Sequence, residues 1–553
     1  MYKQVLDPVG NSLGWSSAFA VLPLLTLFVL LGGFKLKAQW AALISLGVSI
    51  LVALIVYSMP FGQTMDAAAE GAVFGFYPIM WIVINAIWVY NLTRETGHFA
   101  VLRRSFSKVS DDQRVQAVIV AFSFGALIEA LAGFGTPVAI SSVMLIALGF
   151  KPIKAASLAL VANTAPVAFG AIAVPIVTLG QVTGLDKVDL GSMVGRQTPF
   201  LALIVPLILV GMVDGWRGVR QTWPAAFIGG LTFGILQFAT SNYISVELTD
   251  IIASLGSALA IVALLRVWHP VEPVPGRFAG PRPAIAGAST HDVALEREMR
   301  ERERDGDPPS EVARAYAPYV IIIAVFGIAQ IGTIHDWLGN ATKSFSWPGL
   351  HVLNPKGEAP KSATFKFDYL QAAGTLMLVS GLLTMAALKV WPARAARIYG
   401  ATLNQLKWAI VTVMAVLSLA YVMNLSAQTI TLGTWAAGAG GFFAFLSPII
   451  GWLGTAVTGS DTSSNSLFGL LQVTAGKKAD IDPVLLAASN SSGGVLGKMI
   501  SPQNLAIGAA AVGIAGQEGE LFRKVIGWSL VLLLILCVLV LLQSVAVLSW
   551  MVV

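Results

Sequence analysis

Three ionisable side chains lie in stretches of the sequence that are otherwise apolar. Glu129 lies in FGALIEALAGFGT, Asp461 lies in GSDTSS, and Lys498 lies in GGVLGKMISPQN. A charged side chain at the centre of a bilayer costs roughly 2.5–3.5 kcal/mol on insertion scales, so such residues usually face a pathway or a cavity. These three residues are therefore the first candidates for binding an ion or a small charged molecule.

Lys498 is the candidate for holding a carboxylate. The glycine pair at 493–494 predicts a helix break just before it, and an ammonium close to the N–H groups of a restarting helix attracts an anion. The alternative is a structural ion pair with Asp461 or Glu129. Both interpretations can hold, because a carrier can exchange such a partner for a substrate.

Glu129 and Asp461 are candidates for carrying a proton. A carboxyl group whose surroundings alternate between apolar and cationic can take up and release a proton near neutral pH. The alternative for Glu129 is a protonated acid that is hydrogen-bonded inside the helix bundle. The alternative for Asp461 is an N-cap, because GSDTSS is a good helix start and an Asp there accepts backbone N–H bonds.

Neutral polar side chains cluster near the same places. They could bind a hydroxyl and a carboxylate, or they could satisfy the backbone groups that broken helices leave free. The predicted substrate-binding set, besides Lys498, is Thr136, Asn163, Thr164, Thr462, Ser463, Ser464, Asn465, Ser489, Asn490, Ser491 and Gln503.

The segments that must position these residues are membrane-spanning helices. Of the 553 residues, 56% are hydrophobic and only 12% are charged, about half the charge of an ordinary soluble domain. A spanning helix needs about 20 mostly apolar residues. The sequence predicts an all-α polytopic membrane protein with about twelve spans, near 17–34, 38–59, 71–92, 155–180, 198–214, 222–240, 247–267, 318–334, 368–388, 407–424, 484–512 and 525–551.

Two further apolar stretches, 116–150 and 440–476, are broken in the middle by Gly, Ser, Thr and Asp. Each leaves two arms of roughly 15 residues, which are short for spanning and are typical of re-entrant hairpins. The spans 155–180 and 484–512 are predicted to be broken helices.

The two halves of the chain share a weak repeat. GFGT at 133–136 resembles GSDT at 459–462, and an Asn and a Pro follow at nearly equal spacings. The matched landmarks are Thr136, Asn163 and Pro175 in one half and Thr462, Asn490 and Pro502 in the other. Broken helices in inverted repeats are a recurring plan of secondary transporters, with the site near the midplane between the repeats.

The basic loops set the orientation and the domain boundaries. Most short loops rich in Lys and Arg fall on one side if the N-terminus is outside, and that side is cytoplasmic by the positive-inside rule. Lys343, Lys356, Lys361 and Lys366 are discordant. The stretch 269–316, rich in Pro and Gly and then in mixed charge, is predicted to be a cytoplasmic linker between an N-terminal half, 1–268, and a C-terminal half, 317–553.

Several other classes of protein are disfavoured. Cys537 is the only cysteine, the five histidines are scattered, and no nucleotide-binding loop or nucleophile–base set is visible, so we expect no metal, no cofactor and no enzyme. The net charge of +6 requires no nucleic-acid partner, because Lys and Arg collect in cytoplasmic loops.

Three motifs resemble the L-lactate permease family: FGALIEALAGFGTPVAI at 124–140, GSDTSSNSLFGLLQ at 459–472 and SNSSGGVLGKMISPQN at 489–504. The resemblance covers essentially the whole chain. It implies proton-coupled uptake of L-lactate, D-lactate, glycolate and related small 2-hydroxy-monocarboxylates across the bacterial cytoplasmic membrane. It also implies inverted repeats with re-entrant hairpins, an elevator motion of a transport domain against a scaffold, and a homodimer.

Two alternatives of function stay open. One is a sodium-coupled carrier of another organic anion, because related transporters have Ser-Asn-Thr hairpin tips and this sequence has Ser464-Asn465-Ser466 in one repeat. The other is an anion channel, which would not accumulate its substrate uphill.

Overall fold

The structure, a computed structural model, describes residues 1–107, 109–133, 135–272, 274, 307–329, 331–360 and 363–553. The helices of the first half are α1 Leu13–Ala20, α2 Leu22–Phe28, α3 Ala38–Ile55, α4 Phe61–Phe74, α5 Trp81–Glu95, α6 His98–Ser107, α7 Gln113–Gln116, α8 Gly125–Ala132, α9 Thr136–Ala147, α10 Pro152–Ala162, α11 Gly170–Thr183, α12 Lys187–Val194, α13 Thr198–Tyr243 and α14 Thr249–Leu264. Wider π-helical turns continue α2, α4 and α7 at Val29–Gly33, Gly75–Met80 and Ala117–Phe124, and a 3-10 turn at Val167–Phe169 precedes α11.

The described helices of the second half are α15 Pro309–Ala329, α16 Gly332–Gly339, α17 Ala373–Ala387, α18 Pro392–Leu425, α19 Gln428–Ala436, α20 Phe443–Thr458, α21 Asp461–Ala479, α22 Pro483–Lys498, α23 Pro502–Ala511 and α24 Glu518–Gln543, with 3-10 turns at Ala437–Phe442 and Ser549–Met551. Four short strands make the fold not strictly all-α. The strands are β1 Tyr2–Lys3, β2 Lys343–Ser346, β3 Val352–Leu353 and β4 Thr364–Phe367; β1 pairs with β3 in parallel and β2 with β4 antiparallel.

Nine stretches of helix in the described part of the chain are long and apolar enough to cross a membrane, or ten if the bent pair α10–α11 counts as one span. This number is below the twelve predicted. The predicted spans 198–214 and 222–240 both lie in α13, in which two helices meet at a kink at Asp214 and Gly215, and the two are counted together in this number. The predicted spans 247–267 and 368–388 form helices of only 16 and 15 residues.

The two predicted hairpin regions each form a pair of helices around a glycine turn. In the first, the arms are unequal: the helix Gln113–Ala132 has 20 residues and α9 has 12, so the expectation of two arms of roughly 15 residues is wrong there. In the second, α20 has 16 residues and α21 has 19. The turns contain Gly133, Gly135 and Gly459, whose positive φ values of 51°, 80° and 77° suit glycine. Whether these pairs re-enter on one side of the membrane stays a prediction.

The two halves of the chain pack into each other. Helix α11 of the first half packs against α21 of the second, and α9 and α10 pack against α23. This packing brings the turns of both helix pairs to one place.

Glycines bring α20 and α22 into close contact. A Cβ atom at Gly451 would collide with the carbonyl of Asn490, and one at Gly497 would collide with the carbonyl of Trp452. Small residues at helix interfaces in membranes let the backbones approach closely. The glycines of α22 therefore fix its position against the second helix pair.

Much of the predicted linker 269–316 lies outside the described residues, and its described ends are anchored. Arg104 forms a 2.7 Å salt bridge with Asp307, and α15 begins at Pro309, inside the predicted linker. At the other end, Arg114 donates a 2.7 Å hydrogen bond to the carbonyl of Glu272. Among the discordant lysines, Lys343 and Lys366 lie in the paired strands β2 and β4, and Lys361 lies outside the described residues.

Candidate functional site

A cavity of about 500 Å³ lies where the two helix pairs and the two interrupted helices meet. Its lining includes Gly133 from the first turn and 457–463 from the second. The break before and within α11 contributes Val167, Gly170, Ala171, Val174 and Pro175, and the break between α22 and α23 contributes Lys498, Pro502 and Gln503. Residues 35–39 and part of α18 also line the cavity. A volume of this size is within the usual range for small-molecule sites.

Lys498 and Glu129 form a buried ion pair at this cavity. The Lys498 Nζ atom lies 2.6 Å from Glu129 Oε1, and the two side chains are only 8% and 3% exposed. The pair joins α8 to α22 across 369 positions of the sequence. One of the two partners predicted for Lys498 is thus the observed one.

The Glu129 carboxylate packs against the backbone of Gly170, which has no side chain. A Cβ atom at Gly170 would lie 2.7 Å from Glu129 Oε1, so any larger residue there would displace the carboxylate. The second oxygen, Oε2, is buried and has no hydrogen-bond partner among the described residues. An uncompensated polar atom in a buried site is costly, and a proton or a ligand group could satisfy it.

Lys498 is the last residue of α22, and the break lies after it. The prediction of a break at 493–494 is wrong, because α22 runs without interruption from Pro483 to Lys498. Ser501 and Asn504 both donate hydrogen bonds to the Lys498 carbonyl, at 3.0 and 2.9 Å, and so satisfy a group left free at the helix end. An ammonium in the last turn of a helix is favoured by the helix dipole.

Asp461 is held by side chains rather than by capping. The N-cap of α21 is Ser460, whose Oγ accepts the Ser463 N–H at 3.3 Å, so the N-cap alternative for Asp461 is wrong. Asp461 instead accepts hydrogen bonds from Ser491 at 2.6 Å and Thr455 at 3.4 Å. A Cβ atom at Gly494 would collide with Asp461 Oδ1, which explains why a glycine faces this carboxylate.

The cavity wall at the start of α11 has a strained backbone. Ala171, Ile172 and Ala173 have φ values of 46°, 58° and 57°, all in the left-handed region. For residues other than glycine this conformation costs roughly 1–2 kcal/mol each. Such strain tends to occur at functional sites, and of these three residues Ala171 lines the cavity together with Glu129 and Lys498.

A network of neutral polar side chains lies behind the cavity. Asn490 donates to Asn465 Oδ1 at 2.9 Å and accepts from Gln472 at 3.1 Å, and Ser447 joins Gln472 to Ser489. Asn465 also donates to the Pro175 carbonyl at 3.1 Å, so the network reaches the interrupted helix of the other half. Asn465 and Asn490, which the sequence placed in the binding set, thus make hydrogen bonds between helices.

The predicted site residues therefore divide into two groups. Those that line the cavity are Lys498, Glu129, Asp461, Thr462, Ser463 and Gln503. Those outside its lining are Thr136, Asn163, Thr164, Ser464, Asn465, Ser489, Asn490 and Ser491. In the second group, the Thr164 hydroxyl bonds to the Val161 carbonyl at 2.7 Å, and Asn163 ends α10 with its Oδ1 atom buried and unpartnered among the described residues.

Several cavity residues were not predicted from the sequence. These additional lining residues include Lys35, Lys37, Trp408 and Thr412. In the sequence, the two lysines indicated only that their loop lies on the cytoplasmic side. No local pattern distinguishes Trp408 from the other tryptophans. Across the described residues, no group of three or more His, Cys, Asp or Glu side chains is arranged to hold a metal ion.

Comparison with known proteins finds relatives that match over nearly the whole chain. The family model described as L-lactate permease matches residues 16–547. The chain is 41% identical to the glycolate permease GlcA of Escherichia coli strain K12 over 98% of both chains, and 41% identical to the L-lactate permease of the same strain over the full length of both. It is 38% identical to the L-lactate permease of Bacillus subtilis strain 168, again over the full length of both.

Among solved structures, MtrF of Neisseria gonorrhoeae, described as representing a class of antimetabolite efflux pumps, matches with a TM-score of 0.46 and 13% identity, over 87% of this chain and 84% of that one. The sequence matches and the apolar helices identify a multi-pass protein of the bacterial inner membrane, a transporter and not an enzyme. The chain belongs to the L-lactate permease family.

Proposed function

We propose that this protein is a proton-coupled secondary transporter that imports L-lactate, D-lactate, glycolate and related small 2-hydroxy-monocarboxylates. The observation that carries the proposal is the buried Lys498–Glu129 pair, which faces a cavity of about 500 Å³. The curated relatives, named as lactate and glycolate permeases, support the substrate class.

Exchange of partners at Lys498 would couple substrate to proton. A substrate carboxylate that binds the ammonium must displace Glu129, and a displaced, ionised Glu129 would be a buried charge without a partner. Removing one partner of a buried pair costs about 3–5 kcal/mol for this reason. A proton on Glu129 removes this cost, so anion and proton bind together more favourably than the anion alone.

The charge of the site then stays constant through the cycle. The empty site holds one ammonium and one carboxylate, and the loaded site holds one ammonium, one substrate anion and a neutral Glu129. The membrane potential acts on moving charge with about 2.3 kcal/mol per charge per 100 mV. Because the net charge of the site is the same in both states, the membrane potential favours neither the empty nor the loaded site as it moves across the membrane.

The second carboxylate and the neighbouring hydroxyls would complete the site. Thr462, Ser463 and Gln503 line the cavity and can bond the 2-hydroxyl group of the substrate. Asp461, fixed by Ser491, is the second candidate for the proton. The amides behind the cavity hold the helix turns in place.

We also propose that the conformational change is an elevator motion of one helix group against another. One group, α8–α14 with α20–α24, contains the two helix pairs and the interrupted helices as inverted repeats, with the pairs as re-entrant hairpins. The other is α3–α5 with α17 and α18, in which α18 packs against α3 and α4 and α17 against α5, and which contacts the first group through α5 and α18. The homodimer that the family resemblance implies belongs to the same proposal.

The test is uptake of labelled L-lactate into proteoliposomes under an imposed pH gradient in sodium-free buffer. Wild-type protein is expected to accumulate lactate, a protonophore to abolish accumulation, and Glu129→Gln to lose it. Asp189→Asn, which changes an exposed acid of α12, is the control and is expected to behave as wild type.

Each competing function gives a different result. Uptake that requires sodium and survives the protonophore would favour a sodium-coupled carrier of organic anions. Flux without uphill accumulation would favour an anion channel. Unlabelled D-lactate and glycolate are expected to compete with the labelled substrate.

A further inference from the structure

Two lysines on the cavity wall have no part in the exchange at Lys498. Lys35 and Lys37 lie between α2 and α3 and line the cavity, with Trp408 and Thr412 of α18 beside them. Both lysine side chains are exposed, and neither forms a salt bridge within the part of the chain that the structure describes. They are therefore cations at the solvent side of the cavity.

The charges of the cavity lining are unequal. Because Lys498 and Glu129 neutralise each other, Lys35 and Lys37 face only Asp461 among the described acids that line the cavity. Outside the lining, exposed Glu518 interacts electrostatically with Lys35. The lining contains three lysines and two acids and so carries a net charge of +1, and an excess of one sign of charge in a cleft with low-dielectric walls raises the local concentration of the opposite ion.

The backbone at Lys35 is one that normally favours glycine. Its φ is 54°, and the next N–H, that of Leu36, bonds back to the Leu30 carbonyl at 2.9 Å, which closes the helical turn. Glycine is the usual residue at such a helix end because it has no Cβ penalty. Lysine at this position has the steric cost of a Cβ atom at positive φ, and its charged side chain lies at the cavity.

Lys389 has the same positive φ at a helix end outside the lining of this cavity. Its φ is also 54°, and the following Val390 N–H bonds to the Met385 carbonyl at 2.9 Å. It is exposed and lies outside the cavity lining. Lys389 is therefore a matched control for the charge and the backbone conformation of Lys35.

We propose that Lys35 and Lys37 form an anion-collecting entrance on the cytoplasmic side of the cavity, which attracts a small carboxylate from that side and passes it to Lys498 when the reversible transport cycle runs outward. This inference rests on the proposed function, because it assumes an anionic substrate. It adds two residues that act on the capture of substrate and not on the partner exchange. Substituting them should therefore change KM and leave the maximum rate as it is.

The test uses membrane vesicles with the face that carries Lys35 turned outward, which is the cytoplasmic face by the positive-inside rule. We expect Lys35→Gln combined with Lys37→Gln to raise the KM for L-lactate about 3–10-fold at low salt, with the maximum rate unchanged. Raising ionic strength from about 0.01 M to 0.15 M shortens the Debye length from about 30 Å to about 8 Å. Wild-type KM should rise with this change, and the KM of the double variant should not.

The control and the contrary results are distinct. Lys389→Gln is expected to keep the wild-type KM and its salt dependence. A double variant with wild-type KM at low salt, or one that loses maximum rate at unchanged KM, would refute the entrance while leaving lactate transport intact. Failure of the wild-type protein to transport lactate at all would instead reject the proposed function itself.

Discussion

Glu129→Gln removes the counter-charge of Lys498 without changing the shape of the side chain. At the observed N–O separation of 2.6 Å, the attraction between the two charges is about 6 kcal/mol at an effective dielectric constant of about 20. Desolvation of the two groups offsets part of this attraction, and breaking buried pairs costs about 3–5 kcal/mol. We therefore expect the substrate-free variant to lose about 3–5 kcal/mol of unfolding free energy.

Lactate should recover part of this loss, because its carboxylate replaces the missing counter-charge. In the variant, the substrate no longer has to displace a carboxylate, so its affinity should rise and become independent of pH. A ligand that binds only the folded state stabilises it in proportion to the logarithm of ligand concentration over Kd. The shift of the melting temperature caused by lactate should therefore be larger in the variant than in the wild type.

The assay is thermal unfolding of purified protein in detergent, with and without L-lactate, at several pH values. The matched control is Glu70→Gln, because Glu70 is fully buried in α4 with both carboxyl oxygens unpartnered among the described residues. It breaks no ion pair, so we expect a change of stability below about 1 kcal/mol and an unchanged lactate shift. An unaltered melting temperature for Glu129→Gln, or a lactate shift no larger than that of wild type, would refute the reasoning.

Three further changes test other parts of the site. Lys498→Ala should abolish lactate binding by isothermal titration calorimetry, and normal binding would remove Lys498 from the site. Gly494→Ala should reduce uptake strongly, because its methyl group collides with Asp461; wild-type uptake would show that this carboxylate can move without cost. Burial raises the pKa of Asp112, but hydrogen bonds from Arg114 outweigh burial and hold that pKa below its ordinary 3.8. Asp112 therefore stabilises the fold above its unfolded pKa and ceases to do so as pH falls through the folded pKa. Asp112→Asn should cost about 1.5–3 kcal/mol at pH 7 and little near pH 2, as measured by unfolding, and an equal cost at both pH values would contradict this.

The cost of burying charge made the central pair predictable from the sequence. Glu129 and Lys498 lie far apart in the chain, but each lies in an apolar stretch where an isolated charge would be unfavourable. An ion pair was therefore one of the two outcomes expected for Lys498, and binding of a substrate carboxylate was the other. The same reasoning found Asp461, although its partners Ser491 and Thr455 depend on tertiary packing.

The position of the helix break was not predictable from composition. Glycines at 493–494 suggest a break, but in the structure they let α22 pack closely against α20 and Asp461. Conversely, nothing in Ala171–Ala173 predicts three left-handed residues, because neither Gly nor Asn occurs among them. A glycine can either break a helix or let two helices approach closely. Which of the two occurs depends on the helices that pack around it.

The entrance lysines illustrate a third limit. Lys35 and Lys37 follow the first span, where the positive-inside rule explains them completely without any cavity. Their second role depends on α18 and the second helix pair, which are more than 350 positions away in the chain. Contacts of this kind come from the packing of elements and not from any local pattern.

Simultaneous measurement of proton and lactate flux tests the central claim most directly. Proteoliposomes that contain a trapped pH indicator and receive labelled L-lactate in sodium-free buffer would report both fluxes at once. Exchange of partners at Lys498 predicts that about one proton enters with each lactate and that Glu129→Gln exchanges lactate across the membrane without moving protons. Lactate entry without accompanying protons in the wild type, or normal proton movement in Glu129→Gln, would contradict the account.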